Sequence, residues 1–559
     1  MIEFFKRFNS NRSYIVFQFI LLFIFINLFF SDFNCRKDLS KENRFDLTES
    51  TEKVINNLSE KLYIDAFYSE DVPGMHKARL TLAKEVLKEI ASVNRKKVEL
   101  RFYNPDSSES AKKKATEAGI RSFPLEKLER GSAEVKQAYF GIKLTLGAKS
   151  EVIPVAYAAE SIEYQVLTTL KKMTRKPGST TLAILKATGA HTAPDPNFSG
   201  MTALSKDTFG VVIHEVIAKE YGEPQEININ EEPVPEEMNL LLWVGAPVLT
   251  EKGKYYIDQF LMRGGGLIIL AKSMDFSLPS RQRGMPSMGG EGIAVQNPNI
   301  EKINEFLKNY GLEVKSEMIL EPEFSMVTNS FIQIQPGVFA PYHYPLWPVA
   351  THESKQLSKQ SLITKNSSGV ILPWVSGILL TPERQKEAQF DTVIQSTKSA
   401  DRRENYVLLG EEQVANQEIK GAGLHIPLAV HVYGKLKSSF SKEKIPDGVN
   451  LNFLEVTKEG KKSQIFIVGT PYLISDMFVS NQYLDTFQKT NLPFFANLLD
   501  VFLGDTDLLA TRTKQAYIRN IKPVSKPEQI VYSFINILFI PIGIGIYAFV
   551  RLKKRNASK

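Results

Sequence analysis

Apolar positions recur along this chain in three rhythms, and the rhythms alternate. Val54, Leu58 and Leu62 fall on one helical face, and Thr48 stands where an N-cap belongs, predicting a helix over 46–62. "LYIDAFYS" then alternates with period two, as a half-buried strand does. After Gly74 the helical rhythm returns at Leu80, Ala83, Leu87 and Ile90. "KVELRFYNP" predicts a second strand, and "SSESAKKKATEAG" a short helix ending at Gly119, a natural residue for a left-handed helix end. "YFGIKLTL" and "EVIPVAY" predict a hairpin with Ile142, Leu144 and Leu146 on one face, and a helix follows from Glu160 to Met173. The order β-α-β-α-β-β-α over 45–175 predicts a thioredoxin-like α/β module. No Cys-x-x-Cys is present, so its redox chemistry is excluded.

Beyond "TRKPGST", read as a linker, the third rhythm takes over: short unbroken apolar runs separated by helical patterns. "TLAILKATG", "PQEININ", "MNLLLWVGAP", "GLIILAKS" and "SQIFIVGTPYLISD" predict buried strands. "EKGKYYIDQFLMR", "EKINEFLKNYG" and "NLPFFANLLDVFLG" predict helices. Alternating strands and helices imply a doubly wound, amidotransferase-like α/β domain over 179–510, with a β-rich insertion at about 321–460.

Two apolar runs are of another kind. Residues 13–30 carry no charge, and neither do residues 530–550. Each is long enough for a helix crossing about 30 Å of hydrocarbon. The second precedes "RLKKRNASK", a tail with basic residues and no acidic one, which stays on the cytoplasmic side. The first exceeds a signal-peptide core and lacks a small-x-small cleavage site. The expectation is therefore a cytoplasmic N-terminus (1–12), spans at 13–31 and 530–550, and a cytoplasmic tail at 551–559. This places the chain in the bacterial inner membrane, with its bulk periplasmic.

Charge supports this division. The formal total is +7, but the excess sits beside the two apolar runs, and the long middle is close to neutral. The basic balance therefore implies no nucleic-acid partner. The single cysteine, Cys35, permits neither an internal disulfide nor a cysteine-based zinc cluster.

Signals for chemistry are weak. In "FLMRGGGLIIL" the glycines follow a helix and precede a strand, the reverse of a dinucleotide loop, so they cap the helix and admit a tight turn. "GIKLTLGAKS" has a wrongly spaced P-loop pattern and lies in a hairpin. No G-x-S-x-G elbow is present. Asp275 and Asp476 follow strand C-termini, where a site in such a sheet forms, or simply cap the next turn. His425 and His431 would share a strand face yet stand too far apart to share a metal. "APYHYPLWPVA" offers the one aromatic cluster that could line a ligand groove, with Tyr342, His343, Tyr344 and Trp347. No catalytic, cofactor-binding or metal residues are assigned, and no cofactor is expected.

The ordered set of segments does resemble a known family. "RFDLTESTEKVINNLSEKLYIDAFYSEDVPG", "EVIPVAYAAESIEYQVLTTLKKMTRK", "FLMRGGGLIILAKS" and "VGTPYLISDMFVSNQYLDTFQKTNLPFFANLLDVFLGD" resemble the auxiliary-subunit family of ABC-type transport systems, which includes the gliding-motility-associated component. The resemblance implies a non-catalytic auxiliary subunit, partnered by a permease and a separate ATPase. It carries over no site residues. The segments 278–295 and 381–405 look divergent from the family and leave specificity open. Two other function classes stand beside it: an envelope hydrolase or amidotransferase-like enzyme, and a saccharide- or peptide-binding module using the aromatic cluster.

Overall fold

In a computed structural model of the chain, the described residues are 47–129, 132–174, 181–190, 207–277, 292–335, 337–364, 367–449, 452–479 and 483–504, with scattered positions at 18–22 and 533–553. Residues up to Ala516 form one compact unit, and Tyr517–Lys559 form a second.

The first sheet is built from β1 (Leu62–Tyr68), β2 (Val98–Tyr103), β5 (Phe140–Leu146) and β6 (Lys149–Ile153), in the order β2-β1-β5-β6. Strands β1 and β2 run parallel, while β5 is antiparallel to both β1 and β6. Helix Gly74–Val93 joins the parallel pair, as a crossover must. Ile64, Ala66, Ile142 and Leu144 are fully buried against Ala83, Leu87, Ile90 and Ile162 from the two long helices. The helix Glu49–Asn56 begins at the expected cap: the Thr48 hydroxyl accepts from the Thr51 amide at 3.3 Å. Buried Glu163 accepts hydrogen bonds from the Thr48 amide and hydroxyl and from the Thr51 hydroxyl, at 2.7, 2.9 and 2.7 Å, fastening this helix to Ala159–Thr174.

Between the short helix Glu109–Glu117 and β5 lies a hairpin that the sequence pattern did not predict, β3 (Phe123–Glu129) with β4 (Ser132–Ala138). It forms its own two-stranded sheet. The expected thioredoxin-like order is thus interrupted, and the unit is a mixed four-stranded α/β sheet with an added hairpin.

The second sheet has seven strands: Ala388–Gln395, Pro427–Gly434, Ser463–Val468, then β10 (Gly266–Ala271), β9 (Leu240–Gly245), β7 (Leu182–Lys186) and β8 (Gln225–Asn228), in that spatial order. Ser463–Val468, β10, β9, β7 and β8 are parallel, and Pro427–Gly434 runs against its neighbours. Period-two alternation distributes side chains to two faces, both covered. Ile184, Leu242, Ile268 and Phe466 join one core, while Leu185, Leu241, Ile269 and Ile467 join the other. This is why these strands read as continuous apolar runs. Helices Glu251–Met262 and Ile300–Leu307 cover the second face; Asn491–Leu503 and the turn Val211–Tyr221 cover the first. The segment expected as a β-rich insertion supplies two of the seven strands as well as smaller sheets.

The triple-glycine stretch is a helix end. Gly264 has φ +99°, its amide bonds to the Leu261 carbonyl, and a Cβ on Gly265 would overlap the Phe260 ring.

One part of the expected architecture is overturned. Among the described residues no helix is long and apolar enough to cross a membrane. Such a span needs about 20 consecutive apolar helical residues. The stretches 13–31 and 530–550 lie mostly outside the described residues, and what is described there is a scatter of helical positions such as Leu21, Leu22 and Tyr547. The two transmembrane helices of the predicted fold class are therefore unsupported. So is the two-span inner-membrane placement derived from them.

Candidate functional site at the carboxyl edge of the large sheet

In an open α/β sheet, ligands bind beyond the carboxyl ends of the strands. That edge here holds a compact polar cluster. Strand β10 ends at Ala271, and the chain continues through Lys272 and Ser273 into a short strand, Met274–Ser277. The Lys272 ammonium, only 10% exposed, lies 3.1 Å from Asp275 Oδ1 and 3.5 Å from Asp207 Oδ1. Asp275 Oδ2 accepts from the Asn297 amide at 2.8 Å. The Tyr472 hydroxyl donates to Asp207 Oδ1 at 3.0 Å. Burial, and then the Asp207 charge, push that phenol well above its usual range, so it stays a neutral donor.

Asp476 is fully buried, and its two oxygens accept from the Val211 and Val212 amides at 3.2 and 2.9 Å. It closes the start of the π-helical turn Val211–Ile217, where free amides would otherwise point into the core. Of the two aspartates singled out in the sequence, Asp275 belongs to the lysine cluster and Asp476 serves as a helix cap.

The inserted strands are riveted onto the same edge. The Ser376 amide donates to the Gly469 carbonyl at 2.9 Å, and the Thr470 hydroxyl to the Pro373 carbonyl at 2.6 Å. A Cβ on Gly469 would overlap the Ser376 carbonyl. The Ser273 and Ser376 hydroxyls share a hydrogen bond, and Ser376 donates on to the Glu317 carbonyl at 2.6 Å. Asn491, at the first turn of its helix, receives the Ile371 amide at 2.8 Å and donates to the Ile371 and Leu473 carbonyls at 2.9 and 2.8 Å.

The aromatic cluster lies on the long strand Val338–Ala350. Tyr342, Tyr344 and Trp347 are all buried. Their rings form an edge-to-face ladder, Tyr342–Tyr344–Trp347–Trp374–Tyr472, with steps of 6.1, 6.1, 5.2 and 5.3 Å. The Tyr344 hydroxyl donates to the Leu409 carbonyl at 2.7 Å. Only His343 of the four faces solvent, with Nδ1 3.3 Å from the Ser325 carbonyl. The ladder ends on the tyrosine that holds Asp207. His425 precedes the strand that carries His431; its Nδ1 lies 2.8 Å from the Ser396 carbonyl, and His431 Nε2 lies 3.1 Å from Gln464 Oε1.

Chemically, the cluster is a lysine balanced by two carboxylates, with a neutral phenol and amide as further partners. Such a set holds backbone elements and polar groups in register. Among the described residues no three His, Cys, Asp or Glu side chains are grouped to hold a metal ion. Lys272, Asp207 and Tyr472 carry no motif. For Lys272 and Tyr472 the one signal is position, in the carboxyl-terminal parts of the predicted segments "GLIILAKS" and "SQIFIVGTPYLISD"; Asp207 falls in no predicted element and has none.

These features define a mixed α/β protein whose large sheet is joined at its carboxyl edge to its own inserted segment. The sequence profile of a family described as an ABC-type uncharacterized transport system, auxiliary component, matches residues 181–504, and the chain belongs to that family. The profile of a domain of unknown function, DUF7088, matches residues 41–145. The chain is 20% identical over 548 residues to an uncharacterized protein of Borreliella burgdorferi strain B31, covering 96% of this chain and 97% of that one. Among solved structures, the mmIFT52 N-terminal domain aligns with 58% of this chain and 97% of its own at 9% identity, but a TM-score of 0.28 is too low to carry a fold argument.

Proposed function

We propose that this chain is a non-catalytic auxiliary subunit of an ABC-type transport system, working by binding a permease and a separate ATPase subunit. Family membership across residues 181–504 carries the reading. The charge balance of the carboxyl edge supports it: Lys272 is neutralised within the protein by Asp207 and Asp275, and the Ser273 hydroxyl is engaged by Ser376 rather than by a general base. A full-length tagged chain, purified from its own cells after mild crosslinking, is expected to bring down a multi-span permease and a nucleotide-hydrolysing subunit. Recovery of neither, with another transport complex intact in the same preparation, refutes the proposal.

A further inference from the structure

We draw no further inference here: the strongest candidate, the strand Ser325–Gln335 at the edge of a three-stranded sheet, which has neither a charged residue nor a proline along its length, carries no proposal because nothing among the described residues shows what covers it.

Discussion

Asp258 offers the sharpest test of how the large sheet is held together. It sits on the helix Glu251–Met262 with no exposure to solvent. Its Oδ1 accepts from the Tyr310 hydroxyl at 2.5 Å, the Ser439 amide at 2.7 Å and the Ser439 hydroxyl at 2.9 Å. Its Oδ2 accepts from the Ser438 hydroxyl at 2.8 Å and the Gln259 amide at 2.7 Å. One carboxylate thus joins a helix, the end of the next helical segment and a distant loop. Asp258→Asn keeps the shape but must put an NH₂ at one oxygen position. At Oδ1 it faces the Ser439 amide, which cannot turn. At Oδ2 it faces the Gln259 Nε2, whose orientation is fixed because Gln259 also donates to the Leu454 carbonyl at 3.1 Å and accepts from its amide at 2.7 Å. Either way a buried donor meets a donor and the charge-assisted bonds are lost, a cost of about 2–4 kcal/mol. Asp258→Ala strands all five donors and is expected to cost about 4 kcal/mol or more. The chain's three tryptophans, Trp243, Trp347 and Trp374, are all buried in this part of the protein, so urea denaturation followed by their fluorescence reads it directly. A cost below about 0.5 kcal/mol for Asp258→Asn would show that the five contacts are not formed as described.

Other substitutions probe the remaining junctions. Asn491→Ala leaves the buried amide and carbonyl of Ile371 and the Leu473 carbonyl unpaired, and is expected to lower stability by about 3 kcal/mol in the same fluorescence assay. Gly469→Ala forces a methyl group against the Ser376 backbone carbonyl, which cannot yield as a side chain could; soluble expression and the melting temperature should both drop, whereas Gly460→Ala, with open space around it, should be limited to its positive-φ strain of about 1 kcal/mol. His431 is 8% exposed, and burial pulls its imidazole down to about 4. The unfolded chain then binds the proton more readily than the native one, so stability is full above about pH 6.5 and declines as pH falls toward 4, by at most on the order of 3 kcal/mol. His431→Gln should flatten that part of the stability–pH curve; an unchanged slope would place the titrating group elsewhere.

Much of the fold is written in simple periodicities, and the exceptions have identifiable causes. The strands around Leu242, Ile268 and Ile467 announce themselves because both faces are buried, so no polar residue interrupts them. The hairpin Phe123–Ala138 escapes notice because six of the thirteen residues of "LEKLERGSAEVKQ" are charged, leaving no apolar run, and it pairs only with itself. The strand Val338–Ala350 is hidden by Pro341, Pro345 and Pro348, residues that normally argue against a strand. Its pairing with Ser325–Gln335 shifts register at Ser325/Met326 and again between Val327 and Phe331, and prolines are tolerated at such irregularities. The aromatic residues of that strand were legible as a cluster, but not their direction: alternation cannot say which side of an inserted strand meets the core. Lys272 was invisible for a deeper reason. Its nearer carboxylate, Asp275, is local, but the other, Asp207, is more than 60 residues away, and local pattern carries no record of such a meeting.

How the described polar groups of the carboxyl edge are satisfied bears on where a ligand can act. Lys272 lies against two aspartates, Asp476 against two backbone amides, and Asn491 against three backbone groups. A ligand entering there would have to replace satisfied hydrogen bonds with its own, gaining little net energy from each exchange. Among the described residues, the carboxyl edge of the large sheet thus serves as a joint that holds the inserted segment.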